Sequence, residues 1–214
     1  MWEVVVVSNA STDNTDDVVR EIMRDMPELH LLVIADRGKG VATKHGVLRS
    51  HGSVVFLCDA DLSMPPDELD GFLDALQDAD VVIGSREVAG ASRFDEPAHR
   101  HVMGRVFNRL VQTLLLPGIE DSQCGFKAFR RDAADQLFSR QTVNGFGFDA
   151  EILYLARKRQ YRVVERGIPW YFDRDTRVRP GIDSVRMLAE ILGVRLRDIF
   201  GRYESKVVTE VHDA

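Results

Sequence analysis

Residues 53–66 read Ser-Val-Val-Phe-Leu-Cys-Asp-Ala-Asp-Leu-Ser-Met-Pro-Pro, an apolar run that ends directly in two carboxylates separated by one small residue. A short, continuous apolar run is the pattern of a strand buried on both faces, and such strands belong to parallel sheets covered by helices. Pro65-Pro66 then opens a helix, because proline suits a first helical turn. In open α/β sheets the ligand crevice lies beyond the C-terminal ends of the strands, so Asp59 and Asp61 are aimed into it. Alternation along an extended segment turns both acids to a similar side, where they repel unless a cation bridges them. Mg2+ or Mn2+, completed by phosphate oxygens of a ligand, meets that requirement. An isolated Asp-Ala-Asp also suits a turn or a helix cap; the buried strand before it and the prolines after it favour the cation.

The same alternation extends outward. Further strands are expected at residues 3–7, 29–34 and 80–83. Between them lie a helix capped by Ser11 or Asp13 and running to about Met26, a helix over 39–50, and one after Pro65-Pro66 with Leu69, Phe72, Leu73 and Leu76 at helical spacing. This βαβ series predicts an α/β domain with a mostly parallel sheet. Residues 87–101 are polar and aperiodic, and read as a mobile loop. Val102, Val106, Leu110 and Leu114 form a helical stripe that Met103, Phe107 and Val111 widen. An irregular stretch over 117–127 leads to helices near 131–138 and 148–159. Residues 163–172 form a late strand or hairpin broken by Gly167 and Pro169, and residues 173–181 a charged loop. Val185, Leu188, Leu192, Leu196 and Ile199 mark a final amphipathic helix. One domain over 1–204 with a frayed tail over 205–214 is expected.

With 214 residues, 44% of them hydrophobic and 29% charged, the chain has the composition of one globular domain. No run approaches the ~18 apolar residues of a membrane span, and the N-terminus lacks a signal-peptide pattern, which reads as cytoplasmic. Cys58 and Cys124 show no metal or disulfide spacing. At a net charge of −6, nucleic acid is not an expected partner. Residues 157–206 nevertheless hold 13 of the 28 Lys and Arg against 7 acids. That basic third suits an anionic membrane surface or a phosphate-bearing acceptor, and equally a solvated helical face.

Asp59-Ala60-Asp61-Leu62-Ser63-Met64-Pro65-Pro66 resembles the metal-binding signature of glycosyltransferase family 2, especially its dolichyl-phosphate glucosyltransferase and dolichyl-phosphate mannose synthase branches. Ser11-Thr12-Asp13-Asn14-Thr15, Gly38-Lys39-Gly40 and Gly84-Ser85-Arg86 agree in order. Gly118 to Lys127 and Gly147 to Tyr154 look closer to the glucosyl branch. The similarity spans roughly residues 3–200. It implies a GT-A fold, a Rossmann-like α/β sheet, that transfers a hexose with inversion from a UDP- or GDP-linked sugar to a polyprenyl phosphate. Asp59 and Asp61 would hold the donor diphosphate through the cation, with Ser63 near a third ligand position. Asn9, Lys39, Ala60 and Arg86 would line the donor side, and Asp121, Gln123, Lys127, Asp149 and Glu151 the sugar and acceptor side.

A phosphate acceptor is already ionised near neutral pH and is its own nucleophile, so positioning cations matter more than a base. Arg100, Arg105 and Lys127 are the candidates. With a hydroxyl acceptor, Asp121 or Asp149 would have to act as base. Asp149 and Glu151 equally suit a helix start, and Gly38-Lys39-Gly40 a plain turn. Trp170, Tyr171 and Phe172 read more readily as packing than as a sugar platform. Members of the family carry about one further βα unit before the strand at 3–7, and Ser8-Asn9-Ala10 stands where they have acids. The expectation is therefore a GT-A domain without that first unit, with a second copy of the chain, as a homodimer, one way of supplying it. The competing reading is a noncatalytic lipid- or partner-binding remnant.

Overall fold

A computed structural model of the chain describes residues 1–172 and 181–204. Most of the expected 173–181 loop and the 205–214 tail lie outside the described residues. The first half alternates as its sequence requires: β1 (Val4–Asn9), α1 (Thr15–Ile22), β2 (Leu29–Ile34), α2 (Lys39–Arg49), β3 (Val54–Leu57), a 3-10 turn (Pro66–Glu68) that leads into α3 (Leu69–Ala75), and β4 (Val81–Ser85). The second half contains β5 (Ser92–Phe94), α4 (Ala98–Leu114), β6 (Lys127–Arg130), α5 (Arg131–Arg140), α6 (Phe148–Lys158), β7 (Val163–Gly167), β8 (Pro169–Tyr171) and α7 (Ile182–Ile199).

The central sheet has the order β3-β6-β4-β7. Its β4–β7 ladder is parallel, as are β1–β2 and β5–β8; β6 alone runs antiparallel, against both β3 and β4. All five residues of β4 are buried, as expected for a strand covered on both faces. Val81 and Ile83 join the core built with α5 and α6, whereas Val82 faces Phe72, Phe126 and Ile168 on the other side. The sheet is thus the middle layer of three.

β1 departs from the continuous burial its valines predict: Val4 is 43% exposed, and α1 buries none of its residues. Among the described residues β1 and β3 each pair on one edge only, with β2 and β6 respectively. They are nevertheless tied together at their starts, where the Glu3 carboxylate accepts the His51 and Gly52 amides at 2.5 and 3.0 Å. The bond from the His51 amide holds that carboxyl below its ordinary range.

Four expectations change. α1 stops at Ile22, short of Met26: Arg24 and Asp25 close it with tighter turn bonds to Glu21 and Ile22, and Pro27 restricts Met26 from helical conformation. The 87–101 segment is no loop throughout: Ser92–Phe94 pair with β8, and α4 starts at Ala98. Of the two readings of the 163–172 segment the strand holds and the hairpin does not, since β7 pairs with β4 and β8 with β5, both in parallel. Finally, the apolar stripe of α7 and the Val102, Val106 and Leu110 side of α4 point outward, while Phe107, Val111 and Leu114 of α4 pack on the core. Val102 and Val106 are 63% and 59% exposed, and Val185 and Ile199 69% and 76%, while the inward side of α7 carries Ile191 and Val194.

Candidate active site

After β3 the chain turns rather than continuing extended. The Leu62 amide donates to the Asp59 carbonyl at 3.1 Å, Leu62 takes a left-handed φ of 50°, and Asp61 accepts the Ser63 amide at 3.0 Å. Asp59, Asp61 and Ser63 still line one cavity of about 340 Å3, because the turn wraps around its edge. Ala60 is exposed on the outside of that turn.

Asp59 is held from two sides. The Lys39 ammonium lies 2.7 Å from Oδ1 and 3.0 Å from Oδ2. Behind the carboxylate stands Gly125, where a Cβ would come within 1.9 Å of Oδ2 and push Asp59 out of its place. Lys39 is the first residue of α2, and Gly38 before it adopts φ 135° with no room for a Cβ against the Asn144 carbonyl. Burial pulls the Lys39 ammonium down, but Asp149 and Asp59 outweigh it and hold its pKa above the ordinary value. Asn9 serves this corner indirectly: its Nδ2 donates to the Gly38 carbonyl at 3.1 Å.

Arg86, just past β4, makes a fork to Asp121: Nε to Oδ2 at 2.7 Å and Nη2 to Oδ1 at 2.8 Å, with the Arg86 amide also on Oδ2. Its guanidinium plane sits 5.1 Å from the Trp170 ring centroid. Arg86 lines the cavity, whereas Asp121 is buried behind it. Burial raises the Asp121 pKa, yet the Arg86 charge and hydrogen bonds more than reverse this and leave it depressed. Asp121 is therefore a support for Arg86 and a poor base. Lys127 does not reach the cavity either. It is 1% exposed, with Nζ on Asp149 Oδ1 at 2.5 Å and on the Cys124 carbonyl. Lys127 positions Asp149, which does line the cavity.

Arg100 and Gln123 line the cavity, Arg100 over the Phe172 ring at 5.3 Å. Arg105 does not: it pairs with Glu120 and Glu87 at 3.3 and 3.4 Å and lines a separate shallow depression with Arg109 and Gln112. Glu151 also leaves the site; fully buried, it accepts from the Thr142 and Val143 amides and the Tyr203 hydroxyl, bracing the 142–147 loop. Burial pushes the Cys124 thiol up to about 11, which makes it a poor nucleophile. Sequence reasoning undervalued Trp170 and Phe172, both of which line the cavity. Their signal was the dense aromatic run, whose position beside β5 no local pattern reveals.

Two carboxylates suit a cation that takes its remaining ligands from a substrate. Among the described residues no group of three or more His, Cys, Asp or Glu side chains could hold a metal alone. Asp59 and Asp61 thus fit Mg2+ or Mn2+ only in company with phosphate oxygens.

A model of the family described as Glycosyl transferase family 2 matches residues 1–138. The chain belongs to glycosyltransferase family 2. Among curated family members, it is 34% identical over 186 residues to a dolichyl-phosphate beta-glucosyltransferase of Trichomonas vaginalis, covering 83% of this chain and 55% of that protein. It is 30% identical over 217 residues to the dolichyl-phosphate beta-glucosyltransferase of Dictyostelium discoideum, covering 96% and 66%. The chain therefore spans between half and two thirds of the length of these family members. Among solved structures, glucosyl-3-phosphoglycerate synthase from Mycobacterium tuberculosis in complex with Mn2+, UDP and glucosyl-3-phosphoglycerate is similar, with a TM-score of 0.64 at 16% identity over 91% of this chain and 67% of that one. That likeness supports the GT-A fold.

The Arg86–Asp121 fork gives a direct stability test. Asp121→Asn leaves the partly exposed Arg86 guanidinium without its counter-charge, at a cost of about 1–3 kcal/mol at pH 7. Because the Asp121 pKa is depressed in the fold, its contribution is complete above the ordinary aspartate value of about 4 and is lost as pH falls through the folded value. Urea titrations should show a gap between wild type and Asp121→Asn at pH 7 that narrows below pH 4. Equal stability at pH 7 would contradict the role given to the pair.

Proposed function

We propose that the chain is the catalytic domain of an inverting transferase that moves a hexose, glucose before mannose, from a nucleoside diphosphate sugar to a polyprenyl phosphate. The observation that carries this is the composition of one cavity. Asp59 and Asp61 stand at its edge, Lys39, Arg86 and Arg100 supply positive charge, and Trp170, Phe172, Phe146 and Met187 supply apolar surface. Such a cavity suits two phosphorylated partners, one of them bearing a hydrocarbon chain. The similarity to dolichyl-phosphate beta-glucosyltransferases supports the same acceptor and sugar.

In this reading Asp59 and Asp61 hold Mg2+ or Mn2+, which neutralises the departing diphosphate when bound. Lys39 and Arg86 bind donor phosphates. Arg86 is fixed for this by Asp121 and Trp170, so it loses little freedom on binding. Arg100 takes the acceptor phosphate and offsets its repulsion from the donor. No strong base is needed, and the two candidates are engaged: Asp121 is tied to Arg86, and Asp149 is ion-paired with Lys127. Arg105, engaged by Glu87 and Glu120, is left out of acceptor binding.

The acceptor must be met at a membrane surface. No helix among the described residues is long and apolar enough to cross one. Helices α4 and α7 instead present exposed Val102, Val106, Leu110, Val185, Leu192, Leu196 and Ile199, flanked by exposed Arg109, Arg186 and Arg195. An outward apolar face with a basic margin suits peripheral docking on anionic lipid. Vesicles containing phosphatidylserine should therefore carry the chain to the top of a flotation gradient at low salt, and Val185→Glu/Leu196→Glu should abolish this. Equal flotation of the double variant would refute this docking face.

The chemical test uses UDP-glucose with a short polyprenyl phosphate and, separately, the matching polyprenol. Glucose should be transferred to the phosphate and not to the alcohol. Arg100→Ala should lower kcat/KM for the phosphate by roughly tenfold to a hundredfold, the value of one charge-assisted contact, and Arg105→Ala by much less. Transfer to the alcohol, or equal damage in both variants, would contradict the acceptor assignment.

A further inference from the structure

Within the cavity one basic side chain of the protein sits directly on a carboxylate assigned to the cation. Both oxygens of Asp59 face the Lys39 ammonium, at 2.7 and 3.0 Å. The backbone on both sides of this contact is fixed. Gly125 closes the space behind Asp59, and Gly38, held by Asn9 and packed on Asn144, sets where α2 begins. The freedom left at this corner is the four-carbon stem of Lys39, whose side chain is 29% exposed and borders the cavity.

We propose that Lys39 gates the cation site. It neutralises Asp59 until a nucleoside diphosphate enters, then passes its ammonium to the diphosphate and yields Asp59 to the divalent cation. This rests on the donor assignment above. The physical reason is that an ammonium and a divalent cation repel one another when they share one carboxylate, so either alone is a competitor of the other. A diphosphate brings enough negative charge to hold both, which turns competition into cooperation. Cation and nucleotide then each raise the other's affinity by the same factor, as linkage requires. The consequence is a site that does not load metal before donor.

Titration of the whole 214-residue chain with Mn2+ alone, followed by isothermal calorimetry, reads this gate without turnover. Lys39→Met should bind Mn2+ roughly three- to tenfold more tightly than wild type, a modest factor because the pair is partly exposed. Lys39→Arg, which keeps the charge, should behave like wild type. Circular dichroism checks folding, and Lys39→Gln serves as the second neutral variant. UDP should then raise the Mn2+ affinity of wild type by a larger factor than that of Lys39→Met. Mn2+ binding no tighter in both neutral variants, or absent in all, overturns the gate. If UDP raises Mn2+ affinity equally in wild type and Lys39→Met, the donor assignment stands and the gate fails. If UDP leaves wild type unchanged, the donor assignment itself fails and takes the gate with it.

Discussion

The arrangement of the site depends on one antiparallel strand. β6 pairs with both β3 and β4 but runs against them, so its first residue, Lys127, lies opposite Leu57, the last residue of β3, and Ile83, two residues before the end of β4. The segment that enters β6 must therefore pass over the ends of β3 and β4, where a parallel sheet presents its ligand crevice. That path sets Gly125 behind Asp59, Asp121 against Arg86 and Lys127 under Asp149. A parallel strand in the same slot would carry these residues to the far edge of the sheet.

The charges so gathered are neutralised in pairs, Lys39 with Asp59, Arg86 with Asp121 and Lys127 with Asp149. Burial grades them. The Lys127–Asp149 pair is closed off from water, Asp121 is buried while its partner borders the cavity, and the Lys39–Asp59 pair is the most exposed of the three. Removing one member of a buried pair strands a charge, so the first two are structural commitments. An exposed pair is held weakly and can be exchanged. The same fold thus supplies a rigid floor and a labile rim, which suits the uptake and release of the proposed nucleotide donor.

Much of this was legible from local pattern. The apolar run ending in Asp59 and Asp61, the βα alternation through β4 and the helices over 39–49, 131–140 and 148–158 follow from periodicity and punctuation alone. What was not legible is non-local. Lys127–Arg130 is a four-residue strand with charged ends and no alternation, and only its partners in β3 and β4 make it one. Arg100 and Arg105 differ by five residues, or about 140° around a helix, which puts one in the cavity and the other on Glu87 and Glu120. Helix phase is usually read from the apolar stripe facing inward, whereas the stripe of α7 faces outward and α4 carries apolar residues on both sides.

Asp59 and Asp61 are proposed to bind a nucleoside diphosphate through a divalent cation. Calorimetry of UDP binding with and without Mn2+, in wild type and in Asp61→Asn, tests this most directly. Asp61 is exposed on a turn and its carboxylate accepts the Ser63 amide, a bond that an asparagine oxygen can keep, so the fold should survive the change. Mn2+ should strengthen UDP binding to wild type by at least about tenfold, the worth of one charge-assisted contact, and Asp61→Asn should lose most of this gain. UDP affinity indifferent to Mn2+ in wild type, or a full Mn2+ effect retained in Asp61→Asn, would contradict this binding mode.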